Sequence, residues 1–341
     1  MRKGIASAGN WIIDYVKIID KLPNKNMLGN IIGKAIGIGG APHNVLVDIA
    51  KLKVEIPLDA IGIIGEDAEG EYILKIAKEN GLDTKYLTKT NQADTSYTDV
   101  MTEEGTGART FYHYRGANAL LDAQHFDNLN INSKIFHLGY LLLLDKLDAP
   151  DEEYGVKAAR VLDKLQKQGF KTSVDVVSEQ SDRFKRIVSP CLKYTDYLIV
   201  NEIEAGETTG HKIRIDNETI DSYNLVAAAK SILKQGVKEV VIIHFPEGGF
   251  AMKQSGEKYF VPSFVVDPKE IAGSVGAGDA FCAGALYGLH EEWDMEEILK
   301  FANANARFNL THPTTTGGAQ EISEVQTYMN NAKQREIIVN F

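Results

Sequence analysis

The stretch "GSVGAGDAFCAGALYGL", residues 273 to 289, joins a glycine-rich turn to an apolar segment of small residues. Apolar residues recur at helical spacing after Asp279, which predicts a helix over 278 to 290. Gly276 and Gly278 therefore lie at the N-terminus of that helix. The first N–H groups of a helix have no partner within it, and glycines at this end let an anion approach them closely. The pattern indicates an anion site with a carboxylate beside it.

Upstream of this stretch, short apolar runs alternate with longer runs of helical periodicity from about residue 55 onward. This order is typical of a mostly parallel sheet covered by helices on both faces. The predicted strands are 59 to 65, 134 to 139, 171 to 177, 196 to 201 and 239 to 245. The predicted helices are 43 to 52, 68 to 80, 151 to 168, 202 to 209, 222 to 235, 278 to 290 and 295 to 309. We therefore predict a three-layer α/β/α core, built as one domain over residues 1 to 341.

Two segments, residues 12 to 38 and 95 to 115, lack helical periodicity and interrupt the alternation. The second segment reads as two strands joined by a turn at residues 104 to 107. Extended insertions of this kind predict a small β-sheet lid over the carboxyl edge of the main sheet, where open α/β sheets bind ligands. The strand edges of such a lid would otherwise stay unpaired, so we expect a homodimer that forms through the lid.

The composition excludes several classes of function. With 44% hydrophobic residues, 25% charged residues and a formal net charge of −10, the chain is typical of a globular protein and not of a nucleic-acid or membrane binder. The only two cysteines, Cys191 and Cys282, fit no disulfide framework, which favours a cytoplasmic location. Walker, dinucleotide-binding, zinc-hydrolase and serine-hydrolase motifs do not match. The expected partners are small molecules.

Three separated motifs carry a more specific signal, namely "GGAPHNVLVDIAKL" at 39 to 52, "NEIE" at 201 to 204 and "GAGDAFCAGALYGL" at 276 to 289. With "AGNWIIDYV" near the start, and in this order and spacing, they resemble the signature regions of the ribokinase-like carbohydrate kinases, the phosphofructokinase B-type family. The resemblance spans essentially the whole chain and implies a ribokinase-like fold. It also implies an enzyme that transfers the γ-phosphoryl group of ATP to a sugar hydroxyl, with Mg²⁺ as cofactor.

The resemblance assigns the chemistry to the glycine-rich turn. In that family the aspartate of G-A-G-D is the catalytic base, which corresponds here to Asp279. It would take the proton from the sugar hydroxyl that attacks the γ-phosphorus. The backbone N–H groups of Gly276, Ala277 and Gly278 would form an anion hole for the phosphoryl group. A simple N-cap role would explain Asp279 but not the adjacent glycines.

The other motifs imply the binding residues. An amide and a carboxylate suit a polyhydroxylated ligand, because they donate to and accept from neighbouring hydroxyls. The substrate residues implied by the resemblance are Asp14, Gly39, Gly40, Asn44 and, in the lid, Arg115. Mg²⁺ requires hard oxygen ligands and retains waters, and the implied metal residues are Glu204 and, through water, Asn201. The implied nucleotide contacts are Asn201, Gly249 and Asn303. Several of these could instead be ordinary cap, turn or helix residues.

Departures from the family pattern leave alternatives open. Gly273 occupies the position of an aspartate found in relatives that a monovalent cation activates, which argues against strong dependence on such a cation. No acid follows the central strand in "HLGYLL", which argues against ribose. A nucleoside kinase of the same fold would need apolar or stacking contacts for a base. A sugar-binding regulator without catalysis would gain nothing from Asp279 as a base. The sequence does not indicate which sugar or which hydroxyl is used.

Overall fold

Nine strands form one large sheet at the centre of the computed structural model, which describes residues 2 to 179, 181 to 216 and 219 to 337. Numbered along the chain, they are β1 (Ile5–Gly9), β4 (Leu58–Gly65), β5 (Asp83–Thr90), β8 (Ile135–Leu141), β11 (Lys171–Val176), β12 (Tyr197–Asn201), β13 (Val240–Phe245), β14 (Gly248–Lys253) and β15 (Lys258–Pro262). Their order across the sheet is β15-β14-β13-β12-β11-β8-β1-β4-β5. The strands from β13 to β5 in this order are parallel, and β14 and β15 extend one edge as antiparallel strands.

Four further strands form a second sheet, which we call the lid sheet. They are β2 (Ile12–Ile19), β3 (Ile31–Gly39), β6 (Tyr97–Glu103) and β7 (Arg109–Tyr114), in the order β3-β2-β6-β7. The two segments that interrupt the sequence pattern supply all of these strands, and a turn at residues 104 to 107 joins β6 to β7. A short hairpin pairs two strands of two residues each, β9 (Pro150–Asp151) and β10 (Gly155–Val156).

Helices cover both faces of the large sheet. In chain order they are α1 (Ala41–Lys51), α2 (Ala68–Glu79), α3 (Lys157–Lys167), α4 (Phe184–Leu192), α5 (Glu202–Thr209), α6 (Ser222–Lys234), α7 (Ala277–His290), α8 (Met295–Asn309) and α9 (Ile322–Asn331). The apolar side chains of α3 to α6 pack in one core cluster, and those of α1, α2, α7 and α8 pack in another on the opposite face. The strands between them are buried on both sides, which explains their nearly continuous apolar sequences. The predicted three-layer α/β/α core is confirmed.

One predicted helix is wrong at its start. Residues 151 to 168 were expected to be helical, but α3 begins only at Lys157. The carboxylate of Asp151 accepts the N–H groups of Glu153 and Tyr154, which stabilises a turn, and Gly155 has a φ of 84°. Together they favour the hairpin of β9 and β10 over helix.

Several elements were not predicted, namely β1, β5, β9, β10, β14, β15, α4 and α9. The apolar spacing of α4 is helical, since Phe184, Ile187, Val188 and Cys191 are all buried on one face, but Pro190 interrupts the pattern. No helix within the described residues is long and apolar enough to span a membrane.

Candidate active site

A cavity of about 540 Å³ lies between the carboxyl edge of the large sheet and one face of the lid sheet. Its size is that of a small-molecule site. The residues from the lid side include Asp14, Gly39, Thr98, Arg109 and His113. Those from the core include Asn44, Tyr140, Asp175, Asn201, Glu204, Gly276, Gly278 and Asp279. Chain segments far apart in sequence therefore bring most of the predicted site residues to one place.

Asp279 lies in the first turn of α7 with its side chain in the cavity, and it is only 9% exposed. The hydroxyl of Tyr140 donates to its two carboxylate oxygens at 2.7 and 2.9 Å, and the amide of Asn44 donates to Oδ2 at 2.7 Å. Burial and the charge of Asp175 raise the pKa of Asp279 to about 6, while the two donors oppose this rise. The carboxylate is ionised at neutral pH and can still accept a proton.

The turn before α7 has the properties of an anion site. Gly276 has a φ of 78°, and a Cβ there would lie 2.3 Å from the carbonyl oxygen of Thr315, so a side chain is excluded. Within the described part of the chain, the N–H groups of Gly276 and Gly278 have no backbone acceptor. The N–H of Ala277 is 3.3 Å from the oxygen of Ser274. Donors left free at a helix N-terminus can bind an anion beside Asp279.

Asn201 and Glu204 start α5 as a capping box. The side-chain oxygen of Asn201 accepts the N–H of Glu204 at 2.8 Å, and the carboxylate of Glu204 accepts the N–H of Asn201 at 2.9 Å. Ser178 donates to the second oxygen of Glu204 at 2.7 Å. Burial raises the pKa of Glu204 to about 8, and no Lys or Arg of the described residues pairs with it. Both side chains line the cavity and offer the hard oxygen atoms that suit Mg²⁺.

The sugar residues predicted from the early motifs lie on the same cavity. Gly39 leaves room for Asp14, because a Cβ on this glycine would lie 2.3 Å from a carboxylate oxygen of Asp14. Gly40 precedes α1 with a φ of 93°, and a Cβ there would meet the oxygen of Asn10 at 1.8 Å. Burial, with a smaller contribution from the charge of Asp279, raises the pKa of Asp14 to about 7.

Four predicted residues do not line the cavity, and one of them, Ala277, lies between Gly276 and Gly278, which do line it. Arg115 instead contacts the carbonyl of Leu142 at 3.4 Å and the carboxylate of Asp145 at 3.7 Å. Gly249 lies inside β14 and is covered by Phe281, which a Cβ would approach to 2.9 Å. The amide of Asn303 donates to the backbone of Val261 at 3.0 Å and so attaches α8 to β15.

Other cavity residues were missed by the sequence analysis. Tyr140 and Asp175 follow the general rule that functional groups lie near the carboxyl ends of parallel strands, which was a usable signal. Arg109 and His113 alternate along β7, so one face of this strand turns toward the cavity. Burial and the charge of Arg115 lower the pKa of His113 to about 4, which keeps this imidazole neutral.

Comparison with known proteins identifies the class to which this fold and cavity belong. The chain belongs to the pfkB family of carbohydrate kinases, whose family model matches residues 3–322. It is 25% identical over 308 residues to the 5-dehydro-2-deoxygluconokinase of Clostridium perfringens, an overlap of 87% of this chain and 85% of that enzyme. The match to the structure of Arabidopsis thaliana ribokinase complexed with ribose and ATP has a TM-score of 0.76 at 22% identity and covers 96% of this chain and 99% of that one.

A protein assigned as a ribokinase II from E. coli, in complex with ATP and Mg²⁺, matches with a TM-score of 0.73 at 18% identity over 96% of this chain and 99% of that one. These comparisons confirm the ribokinase-like fold and the predicted class of enzyme. The protein is an ATP-dependent sugar kinase.

Proposed function

We propose that Asp279 is the general base in the transfer of the γ-phosphoryl group of ATP to a sugar hydroxyl. The observation that carries this proposal is the position of its carboxylate, inside the cavity and at the start of α7, where the N–H groups of Gly276 and Gly278 have no backbone acceptor among the described residues. A carboxyl group with a pKa of about 6 is ionised near neutral pH and basic enough to share a proton in the transition state. General-base catalysis contributes roughly 10²- to 10⁴-fold to a rate.

In the proposed step, the sugar hydroxyl gives its proton to Asp279 while its oxygen bonds to the γ-phosphorus. The bond between this phosphorus and the bridging oxygen of ADP breaks, and ADP leaves with that electron pair. The N–H groups of Gly276, Ala277 and Gly278 donate to the oxygens of the phosphoryl group. Because Tyr140 donates to both oxygens of Asp279, the carboxylate is oriented before the sugar binds.

We propose that Glu204 and, through water, Asn201 hold Mg²⁺. The donor set fits this ion, since it consists of carboxylate and amide oxygens at the edge of the cavity. A buried carboxyl group without a basic partner gains from a cation that favours its ionised form. When bound, Mg²⁺ neutralises charge on the phosphate oxygens. Gly249 and Asn303 stay predictions as nucleotide contacts.

For the substrate, we propose an acidic sugar that Arg109 recognises. This guanidinium lines the cavity and, within the described part of the chain, makes no side-chain hydrogen bond or ion pair. Burial lowers its pKa, so an anionic ligand group would supply the charge that the site lacks. The Clostridium perfringens relative, 5-dehydro-2-deoxygluconokinase, is named for a sugar acid. Asp14, Gly39, Gly40 and Asn44 would bind the hydroxyl groups, and Arg115 stays a predicted contact.

We also propose that two copies of the chain associate through the lid sheet. Several large apolar side chains of this region are exposed, including Leu28 (81%), Ile32 (50%), Ile36 (58%) and Tyr112 (56%). Apolar side chains clustered on one small sheet favour burial against a partner. A monomeric mass in light scattering would exclude this arrangement. A cytoplasmic location also stays a prediction.

ADP release from ATP and Mg²⁺, measured against ketoses, aldoses, sugar acids and nucleosides, tests the proposed function. We expect turnover on a sugar acid and a loss of roughly 10²-fold or more in Asp279→Asn. Asp294→Asn is the matched control, because Asp294 also stands at a helix start but is exposed and makes no cap hydrogen bond. Turnover on nucleosides alone would favour a nucleoside kinase. Sugar binding in calorimetry without any turnover would favour a regulator.

A further inference from the structure

A cluster of three side chains that could bind a metal lies at the cavity, and two of the three line it. It consists of His137 on β8, Asp175 on β11 and Cys282 on α7, all three buried. The Nε2 atom of His137 is 3.3 Å from Oδ2 of Asp175 and 4.0 Å from the sulfur of Cys282. One potential ligand atom from each residue lies within 4.8 Å of the other two.

The cluster is oriented by its surroundings. Nδ1 of His137 is 3.1 Å from the hydroxyl of Ser173, which leaves Nε2 facing the other two side chains. The Oδ1 atom of Asp175 is buried and has no hydrogen-bond partner among the described residues. Gly139 makes room for this oxygen, because a Cβ there would lie 2.1 Å away from it. A buried carboxylate oxygen without a hydrogen-bond partner has lone pairs that can bind a ligand.

We propose that His137, Asp175 and Cys282 bind one thiophilic divalent cation of the Zn²⁺ type, with a fourth position open to the cavity. Zinc bonds of about 2.0 to 2.3 Å in a tetrahedron place ligand atoms roughly 3.3 to 3.6 Å apart. The His137 to Asp175 distance of 3.3 Å already fits, and the sulfur of Cys282 must move inward from 4.0 Å. Asp175 and Cys282 line the cavity, so an ion can enter from it.

The donor set separates this site from that of Mg²⁺. Imidazole nitrogen and thiolate sulfur select zinc-type ions, whereas Mg²⁺ prefers oxygen atoms such as those near Glu204. On binding, the Cys282 thiol forms its bond to the metal as a thiolate and releases its proton to solvent, while Nε2 of His137 binds as the neutral imidazole. Cys282 follows Asp279 by one helical turn, so the bound ion together with the new thiolate would add one net positive charge close to the general base.

Inhibition of the kinase is the functional consequence, and only this part depends on the proposed function. A cation bound by Asp175 would attract the phosphoryl group and the ionised Asp279, which opposes proton transfer to that base. We therefore expect Zn²⁺ to inhibit turnover even when Mg²⁺ is saturating. Binding itself is measured without ATP or sugar, so a failure of the metal site is distinguishable from a failure of the kinase assignment.

The test is titration of the metal-free protein with Co²⁺, followed by visible and near-ultraviolet absorption, and then displacement of Co²⁺ by Zn²⁺. We expect one equivalent to bind, with a thiolate-to-cobalt charge-transfer band and the strong visible absorption of tetrahedral Co²⁺. Cys282→Ser should remove the charge-transfer band, and Ser173→Ala should weaken binding on the order of tenfold. Cys191→Ser is the matched control, because Cys191 is also buried but belongs to α4.

The proposal is overturned if the wild-type protein shows no charge-transfer band. It is also overturned if Cys282→Ser binds Co²⁺ like Cys191→Ser, which would mean that the metal sits on surface groups. Should Cys282→Ser fail to fold, as judged by circular dichroism and thermal melting, His137→Gln provides the same comparison through a different ligand. Retention of full affinity in that variant would exclude the site.

Discussion

The hydrogen bonds from Tyr140 to the proposed base lead to a quantitative prediction for Tyr140→Phe. The hydroxyl of Tyr140 donates at 2.7 and 2.9 Å to the carboxylate of Asp279, and it favours the ionised form. A hydrogen bond to a charged group contributes about 1.5 to 3 kcal/mol, and one pKa unit corresponds to about 1.4 kcal/mol. Removing the hydroxyl should therefore raise the pKa of Asp279 by roughly one to two units from its value of about 6.

A general base acts only when it is deprotonated, so activity is lost as the pH falls through its pKa. In the wild type we expect kcat/KM to fall below about pH 6. In Tyr140→Phe the same fall should begin at a pH roughly one to two units higher. Near pH 6 the variant should be slower on the order of tenfold, and much of this loss should disappear near pH 9.

The assay is coupled ADP release between pH 5 and pH 9.5 on the best substrate of the panel. Tyr86→Phe is the control, because the Tyr86 hydroxyl accepts the N–H of Asn130 at 2.9 Å and Tyr86 does not line the cavity. An acid limb that does not move in Tyr140→Phe would refute the argument. So would a loss of equal size at every pH, which would indicate that the hydroxyl only positions groups.

Three further substitutions test other parts of the site. Gly276→Ala should lower both Tm and kcat, because its φ of 78° and the Thr315 oxygen at 2.3 Å exclude a Cβ; differential scanning fluorimetry and initial rates measure this. Glu204→Gln should raise the Mg²⁺ concentration for half-maximal rate on the order of tenfold, measured by Mg²⁺ titration. Arg109→Met should raise KM for an acidic sugar by about tenfold or more and leave KM for neutral sugars nearly unchanged, measured by steady-state kinetics.

Each substitution has a matched control. Gly256 has a φ of 94° with nothing within 4 Å of a Cβ, so Gly256→Ala should show the backbone strain without the collision. Glu207→Gln alters an exposed carboxylate on the same helix as Glu204, and Arg186→Met removes an exposed guanidinium. Effects equal to those of the controls would show that the corresponding site residue has no specific role.

The sequence predicted those helices and strands that are determined by the spacing of apolar residues within the segment itself. Repeating apolar spacing located α7 and α8 to within a residue, and the absence of such spacing marked the strands of the lid sheet. The start of α3 could not be predicted from spacing, because the side-chain cap of Asp151 and the left-handed Gly155 decide it. The apolar residues of α4 recur at helical spacing, but Pro190 is unfavourable inside a helix, so the sequence did not predict one there.

The position of a residue at the cavity could be predicted where one motif contains both the side chain and the backbone turn beside it, as for Asp279 and Gly276. Tyr140 could not be found in this way, because its role depends on a contact with Asp279 across 139 positions of sequence. Arg115 was expected in the cavity, but β7 ends at Tyr114 and the chain then turns Arg115 toward Asp145. Side-chain direction at the end of a strand is set by tertiary packing, which the sequence pattern does not contain.

The way in which the lid sheet joins the core has a consequence for discrimination among sugars. β1 ends at Gly9 and β2 begins at Ile12, while β3 ends at Gly39 and α1 begins at Ala41. Any movement that opens the cavity therefore displaces Asp14 and Gly39 relative to Asp279, which stays on the core. A sugar that lacks the matching hydroxyl groups cannot hold the lid sheet in its closed position against the core. Such a sugar should therefore have a lower kcat as well as a higher KM. The enzyme thus discriminates among sugars through the rate of phosphoryl transfer. For the same reason, hydrolysis of ATP by water is suppressed when no sugar is bound.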